Sequence, residues 1–157
     1  MAVVRVFVRD DRDRVLLVQT RHKHMDGHYW IVPGGMIEEG EYSRDAAIRE
    51  VQEETGLRIT IKRLVWVEES KNDEGRIGSI YYFVAEAANG APIVGYDPEL
   101  PENGQKIIDV AYKSRDEIQR LEKVYPEIMK HDDFWAIMEA DAHDPYVTRP
   151  SRGFGHD

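Results

Sequence analysis

The segment Gly35–Leu57 constrains this chain more than any other: GMIEEGEYSRDAAIREVQEETGL. Arg44 to Thr55 contains no glycine or proline, and Ala46, Ala47, Arg49, Gln52 and the glutamates favour helix. Ser43 is a good N-cap residue and Gly56 supplies a left-handed stop, so a helix is expected over Arg44–Thr55. On it Glu50, Glu53 and Glu54 fall at i, i+3 and i+4, within an arc of about 100°. Ile48, Val51 and Thr55 lie around the side, where they can face a core. Like charges at this spacing repel, and a cation relieves them; hard oxygen ligands on one rigid face suit Mg²⁺ or Mn²⁺. Taken alone, three glutamates are more often a solvated acidic face than a metal site.

Their frame decides between the two. Gly35, Glu41, Arg49, Glu50, Val51, Glu53, Glu54, Gly56 and Leu57 fill every fixed position of G-x5-E-x7-R-E-U-x-E-E-x-G-U, where U is bulky and aliphatic. The segment therefore resembles the Nudix box, and Trp30 before Pro33-Gly34-Gly35 extends the likeness. The resemblance implies an α/β/α sandwich with a mixed, curved β-sheet between helices. It also implies hydrolysis of a diphosphate linkage in a nucleoside diphosphate derivative, water attacking phosphorus with metal ions neutralising the phosphates. By the same likeness Glu50, Glu53 and Glu54 hold Mg²⁺ or Mn²⁺, with the Gly34 carbonyl as a further ligand. Arg49 orients the carboxylates, with Glu41 and Gly35 as support. A nucleotide-binding sensor of the same fold, without turnover, is the alternative; such a domain is expected to lose box residues, and this chain keeps them.

Around that segment the order of elements fits one domain over 1–140. Ala2–Arg9 and Arg14–Thr20 read as a strand hairpin closed by Asp10–Asp13. The loop 21–28 is cationic, and its scattered histidines read as solvated. Trp30–Val32 is a short strand, with Trp30 in the core more readily than on a base. Leu57–Val67 and Ile80–Ala85 read as strands around a polar loop 68–78. Ala87–Gly104, with Pro92, Pro98 and Pro101, is long enough to be functional or mobile. A strand Ile107–Tyr112 follows, then a helix capped by Ser114, then a last helix from Pro126 to about Ala140. Residues 141–157 read as a loose tail.

Another acid is expected beside the metal face, because a carboxylate that holds metal is a poor proton acceptor. Glu102, in a segment before the Ile107 strand that resembles the place where family members bring an acid over the metal helix, is the first choice as general base, with Asp97 and Glu99 as rivals in the same loop, and Arg21 is the candidate for substrate phosphate. The net charge of −9 argues against broad nucleic-acid affinity. Cysteine is absent, no apolar run approaches the ~20 residues of a membrane span, and Met1–Val8 lacks a signal-peptide layout. The expected setting is cytoplasmic and the expected partner a small nucleotide derivative, with a homodimer left open. The proline and tyrosine that mark ADP-ribose and dinucleoside-polyphosphate members beyond the box are missing at Asn72–Gly75, so the substrate stays open.

Overall fold

The valine-rich N-terminus becomes the middle of the sheet, strand β1 (Ala2–Arg9), in a computed structural model describing residues 1–22, 26–88, 90–140 and 145–150. Both faces of β1 are covered. Val4, Val6 and Val8 enter one core, Val3 and Phe7 the other, which is why the strand reads as near-continuous valine.

β2 (Val15–Arg21) follows a turn in which the Asp10 carboxylate accepts the N–H groups of Arg12 (3.0 Å) and Arg14 (2.8 Å). The expected hairpin is closed only at this end. Arg9 stands opposite Val15, and then the strands part. β3 (His28–Ile31) pairs with β2, and β4 (Gly34–Met36) pairs with β1, so the chain crosses the opening at Val32–Pro33. The Pro33 carbonyl accepts the Val6 N–H at 3.0 Å. This fork sets Gly34 and Gly35 at its mouth.

Helix α1 (Ser43–Thr55) packs below the fork through Ala46, Ala47 and Val51, against Val4, Val6 and Leu16. Its start differs from expectation. Tyr42, not Ser43, occupies the cap position and makes no side-chain cap bond. Ile48, expected to face a core, is 36% exposed. Thr55 is buried, its hydroxyl donating to the Val51 carbonyl at 2.6 Å, and Gly56 takes the left-handed φ of 73°.

β5 (Ile59–Lys71) pairs antiparallel with β6 (Ile77–Ala87), which lies parallel to β1 along the whole of β1. The polar loop expected over 68–78 shrinks to 72–76. Backbone pairing carries β5 through Glu68 and Ser70, both buried, and the Asn72 side chain closes the turn by accepting the N–H groups of Glu74 and Arg76. β7 (Ile107–Lys113) takes the free edge of β2.

The opposite face carries α2 (Arg115–Arg120), capped by Ser114 and Glu117 as a reciprocal box, and α3 (Asp132–Glu139), while between them β8 (Val124–Tyr125) joins the sheet parallel to β3. The single helix expected from Pro126 to Ala140 is divided. A 3-10 turn over Glu127–Lys130 ends at His131, whose extended backbone (ψ 146°) starts α3 afresh. Ile118, Met129, Phe134 and Trp135 fill the second core with Val3, Phe7 and Leu17. Within the segment expected to be a loose tail, Tyr146–Pro150 forms β9, parallel to β5; 141–144 and 151–157 lie outside the described residues. The helices thus enclose a mixed sheet in an α/β/α arrangement. No helix among the described residues is long and apolar enough to cross a membrane.

Candidate active site

The acidic face of α1 looks into a cleft of about 540 Å³ at the mouth of the fork. Gly34, Gly35, Arg49, Glu50, Glu53 and Glu54 all line it, so the structure gathers the expected helix residues with the expected glycines. Glu54 is enclosed by protein with one edge open to the cleft, and its Oε1 accepts the Gly34 N–H at 2.8 Å. Burial pushes its carboxyl up to about 8, against the pull of the Arg5 guanidinium and the Gly34 N–H; Glu50 and Asp97 add repulsion. Burial also pushes Glu50 up to about 7, opposed first by Arg49.

Arg49 ties the cluster together. Its Nε and Nη2 donate to the two oxygens of Glu41 at 2.8 and 2.9 Å, a bidentate pair. Nη1 donates to Glu50 (3.0 Å) and Glu53 (3.3 Å), and Nη2 also to the Met36 carbonyl (3.1 Å). These bonds hold Glu41 below the usual carboxylate range and raise Arg49 further above its own. Gly35 leaves room for the Glu50 carboxylate: a Cβ there would stand 2.5 Å from Glu50 Oε1, and the side chain would have to shift.

The long loop after β6 is not free over the site. The N–H groups of Ile93, Gly95 and Tyr96 donate to the carbonyls of Thr55, Glu54 and Glu53 at 2.9, 2.9 and 3.1 Å. With Gly56 N–H on Gln52, the last four carbonyls of α1 are thereby satisfied. Asp97 follows directly and lines the cleft, close enough for its charge to act on Glu54. Glu99 also lines the cleft. Glu102, the first choice from sequence, does not: it is exposed at the start of a 3-10 turn, Glu102–Gly104. Arg21 is exposed at the end of β2 and does not line the cleft either, its N–H donating to the Lys106 carbonyl at 3.2 Å; Lys106 is the cation on the rim.

Sequence reasoning missed Arg5, Tyr96, Gln105 and Lys106. Arg5 did leave a signal, as a lone charge inside Val3-Val4-Arg5-Val6-Phe7-Val8. Its Nη1 donates to the Val32 carbonyl at 3.1 Å, on the floor behind Gly34.

Among the described residues no three carboxylate or imidazole groups converge on one point as a ready metal cluster, since Glu54 faces Gly34 while Glu50 and Glu53 face Arg49. The donor chemistry nevertheless fits a divalent cation. Hard oxygens share one helix face, and burial leaves the charges of Glu50 and Glu54 undercompensated. A second hollow, of about 640 Å³, lies between Arg9, Arg14, Glu86 and Tyr112. Its arginines are already paired, Arg14 with Asp10 at 2.6 Å and Arg9 with Asp13 at 3.2 Å, and it holds none of the box residues.

Fold and cleft together define an acid-lined small-molecule site under a divided mixed sheet. The family model described as NUDIX domain matches residues 1–131, and the chain belongs to the Nudix family. An ADP-ribose pyrophosphatase from Methanocaldococcus jannaschii is 32% identical over 92 residues, covering 57% of this chain and 53% of that protein. Nucleoside diphosphate-linked moiety X motif 6 from Xenopus laevis is 38% identical over 69 residues, covering 44% of this chain and 31% of that protein. The match thus spans about a third to a half of the length of these relatives. Among solved structures, a NUDIX hydrolase from Nitrosomonas europaea superposes with a TM-score of 0.70 at 22% identity, covering 92% of this chain and 91% of that one. A UDP-X diphosphatase gives 0.65 at 19% identity, covering 94% and 66%. At these identities the likeness is one of fold.

Proposed function

We propose that the chain is a divalent-metal-dependent pyrophosphohydrolase, cleaving a diphosphate linkage in a nucleoside diphosphate derivative by attack of water on phosphorus. The observation that carries this reading is the convergence of Glu50, Glu53, Glu54, Gly34 and Gly35 on one cleft, with Arg49 anchored on Glu41. Relatives named for ADP-ribose, diphosphoinositol polyphosphate and 8-oxo-dGTP chemistry support the reaction class and leave the substrate among nucleoside triphosphates, nucleotide sugars and ADP-ribose-like molecules.

Bound through Glu50, Glu53 and Glu54, with Gly34 as the further ligand carried from the resemblance, Mg²⁺ or Mn²⁺ would supply the charge neutralisation that a diphosphate needs here. Arg49 keeps Glu50 and Glu53 aimed inward, and Gly35 leaves Glu50 its space. Asp97 replaces Glu102 as the acid placed to accept a proton from the attacking water, since it stands outside the helix and faces the cleft. Lys106 replaces Arg21 as the cation facing the diphosphate. The setting we propose is the cytoplasm, in line with a sequence lacking cysteine.

The test is turnover of a panel of nucleoside triphosphates, nucleotide sugars, ADP-ribose and dinucleoside polyphosphates. Release of phosphate or nucleoside monophosphate is expected with Mg²⁺ or Mn²⁺ and none in chelator. Equal rates with and without chelator exclude the mechanism; nucleotide binding without turnover at any metal concentration establishes a sensor instead.

A further inference from the structure

Gln105 has no charge, yet its side chain makes four hydrogen bonds to a single loop. Oε1 accepts the Asp97 N–H at 2.7 Å. Nε2 donates to the carbonyls of Asp97 (2.9 Å), Leu100 (3.1 Å) and Pro101 (3.3 Å). Taking both backbone groups of Asp97, the amide does what a neighbouring β-strand would do. The segment needs such a partner, because Pro98 and Pro101 have no N–H and cannot enter a ladder of their own.

The same loop is fixed at its other end by the bonds from Ile93, Gly95 and Tyr96 to the end of α1. Residues 97–101 are thus suspended between the metal-facing helix and Gln105. Asp97, Pro98, Glu99 and Leu100 form one side of the cleft. The long loop, which from sequence could have been a mobile lid, is built as a standing wall.

We infer that Gln105 is a positioning residue, holding 97–101 as a preformed wall of the cleft and so setting where Asp97 stands and how tightly substrate is held. The inference rests on the hydrolase reading for its kinetic consequence alone; the wall itself follows from the hydrogen bonds. It depends on a planar group with acceptor and donor side by side. Glutamate at 105 would keep the acceptor but set a carboxylate against three carbonyls. Leucine would keep the bulk and make none of the bonds.

Amide hydrogen exchange followed by NMR, combined with steady-state kinetics on the full chain, tests this in Gln105→Leu and Gln105→Glu. The Asp97 amide is expected to exchange at least about tenfold faster in both variants, while amides of β1 and of the middle of α1 are unchanged. KM for the best nucleotide of the panel should rise about tenfold with kcat falling less than about threefold, because bound substrate reorders the wall at the expense of affinity. Mn²⁺ affinity of the substrate-free protein should stay within about twofold of the parent. Unchanged exchange at Asp97 would overturn the inference. So would faster exchange with unchanged KM, which would mean that the wall does not meet substrate. Exchange rising everywhere with Mn²⁺ affinity falling would reduce Gln105 to a general stabiliser of the fold. If the parent turns over none of the panel, the hydrolase reading fails, and the exchange rates at Asp97 still decide whether Gln105 holds the wall.

Discussion

Arg49 shows why one residue type is needed at the centre of the acidic face. A guanidinium has five N–H donors in a rigid fork, and here they reach Glu41 twice, Glu50, Glu53 and the Met36 carbonyl. Lysine has the charge without the fork. Arg49→Lys should therefore cost about 1–3 kcal/mol, read as a Tm lowered by roughly 5 °C, together with a loss of activity. A variant of unchanged Tm would show that the fork adds nothing beyond its charge. Glu53 is the most open of the three glutamates, its side chain 32% exposed against 16% for Glu50. Glu53→Gln should leave Tm within about 2 °C while lowering kcat by two orders of magnitude or more, if Glu53 holds the metal. Much of this candidate site could be read from sequence, because Arg49, Glu50, Glu53 and Glu54 are fixed to one another by local helix geometry, while Glu41, before the helix, came only with the resemblance. Arg5 left only the trace of a lone charge in a valine run, its partner Val32 lying 27 residues on, and Gln105 left none, since its bonds to Asp97, Leu100 and Pro101 are made in a loop without regular period.

At the scale of elements, local signals predicted local structure and failed where partners are distant. Gly56 ended α1 as expected, and Ser114 with Glu117 capped α2, because both depend on residues three or four positions away. The bonds from 93–96 to 53–55 join segments about forty residues apart and leave no periodic trace in a stretch of Gly, Pro and Val. The same holds for the parting of β1 from β2 and for β9, which exists through β5. Gly95 is the informative residue here. A Cβ at this position would fall 1.9 Å from the Glu53 carbonyl, backbone that cannot yield. Gly95→Ala should detach the loop from α1, removing the partners of Glu53 and Glu54 carbonyls. The expected result is faster exchange at the Gly95-site and Tyr96 amides and an activity reduced about tenfold or more, with β-sheet amides still protected. Parent-like exchange at Tyr96 would show that the loop follows the helix without the fit of Gly95.

The whole molecule carries a net charge of −9 and concentrates acids in its cleft, so protons and cations should govern its stability together. Glu54 and Glu50 are pushed up to about 8 and about 7 from an ordinary 4.5. Between 4.5 and those values the folded chain holds protons that the unfolded chain has released, so stability falls as pH rises. Their contribution is whole below 4.5 and is lost on passing through 7 and 8. Glu41, Asp10 and Glu117 are shifted the other way, and their contribution is lost only as pH drops below the ordinary carboxylate range. In chelator, Tm is therefore expected to decline by roughly 5–10 °C between pH 5.5 and 8.5. A divalent cation binds the deprotonated carboxylates, so Mg²⁺ or Mn²⁺ should restore most of the loss at the alkaline end and do little at the acid end. Glu54→Gln separates the two causes. The amide keeps an oxygen for the Gly34 N–H and removes the enclosed charge. In chelator at pH 8.5 this variant should melt above the parent, with a flatter pH profile, and should gain far less from added metal. Scanning Tm against pH with and without metal, in parent and variant, measures all of this in one set of melts. A parent profile that is flat in chelator would mean that the enclosure of Glu54 is relieved in solution, and the cation would then have no buried charge to balance.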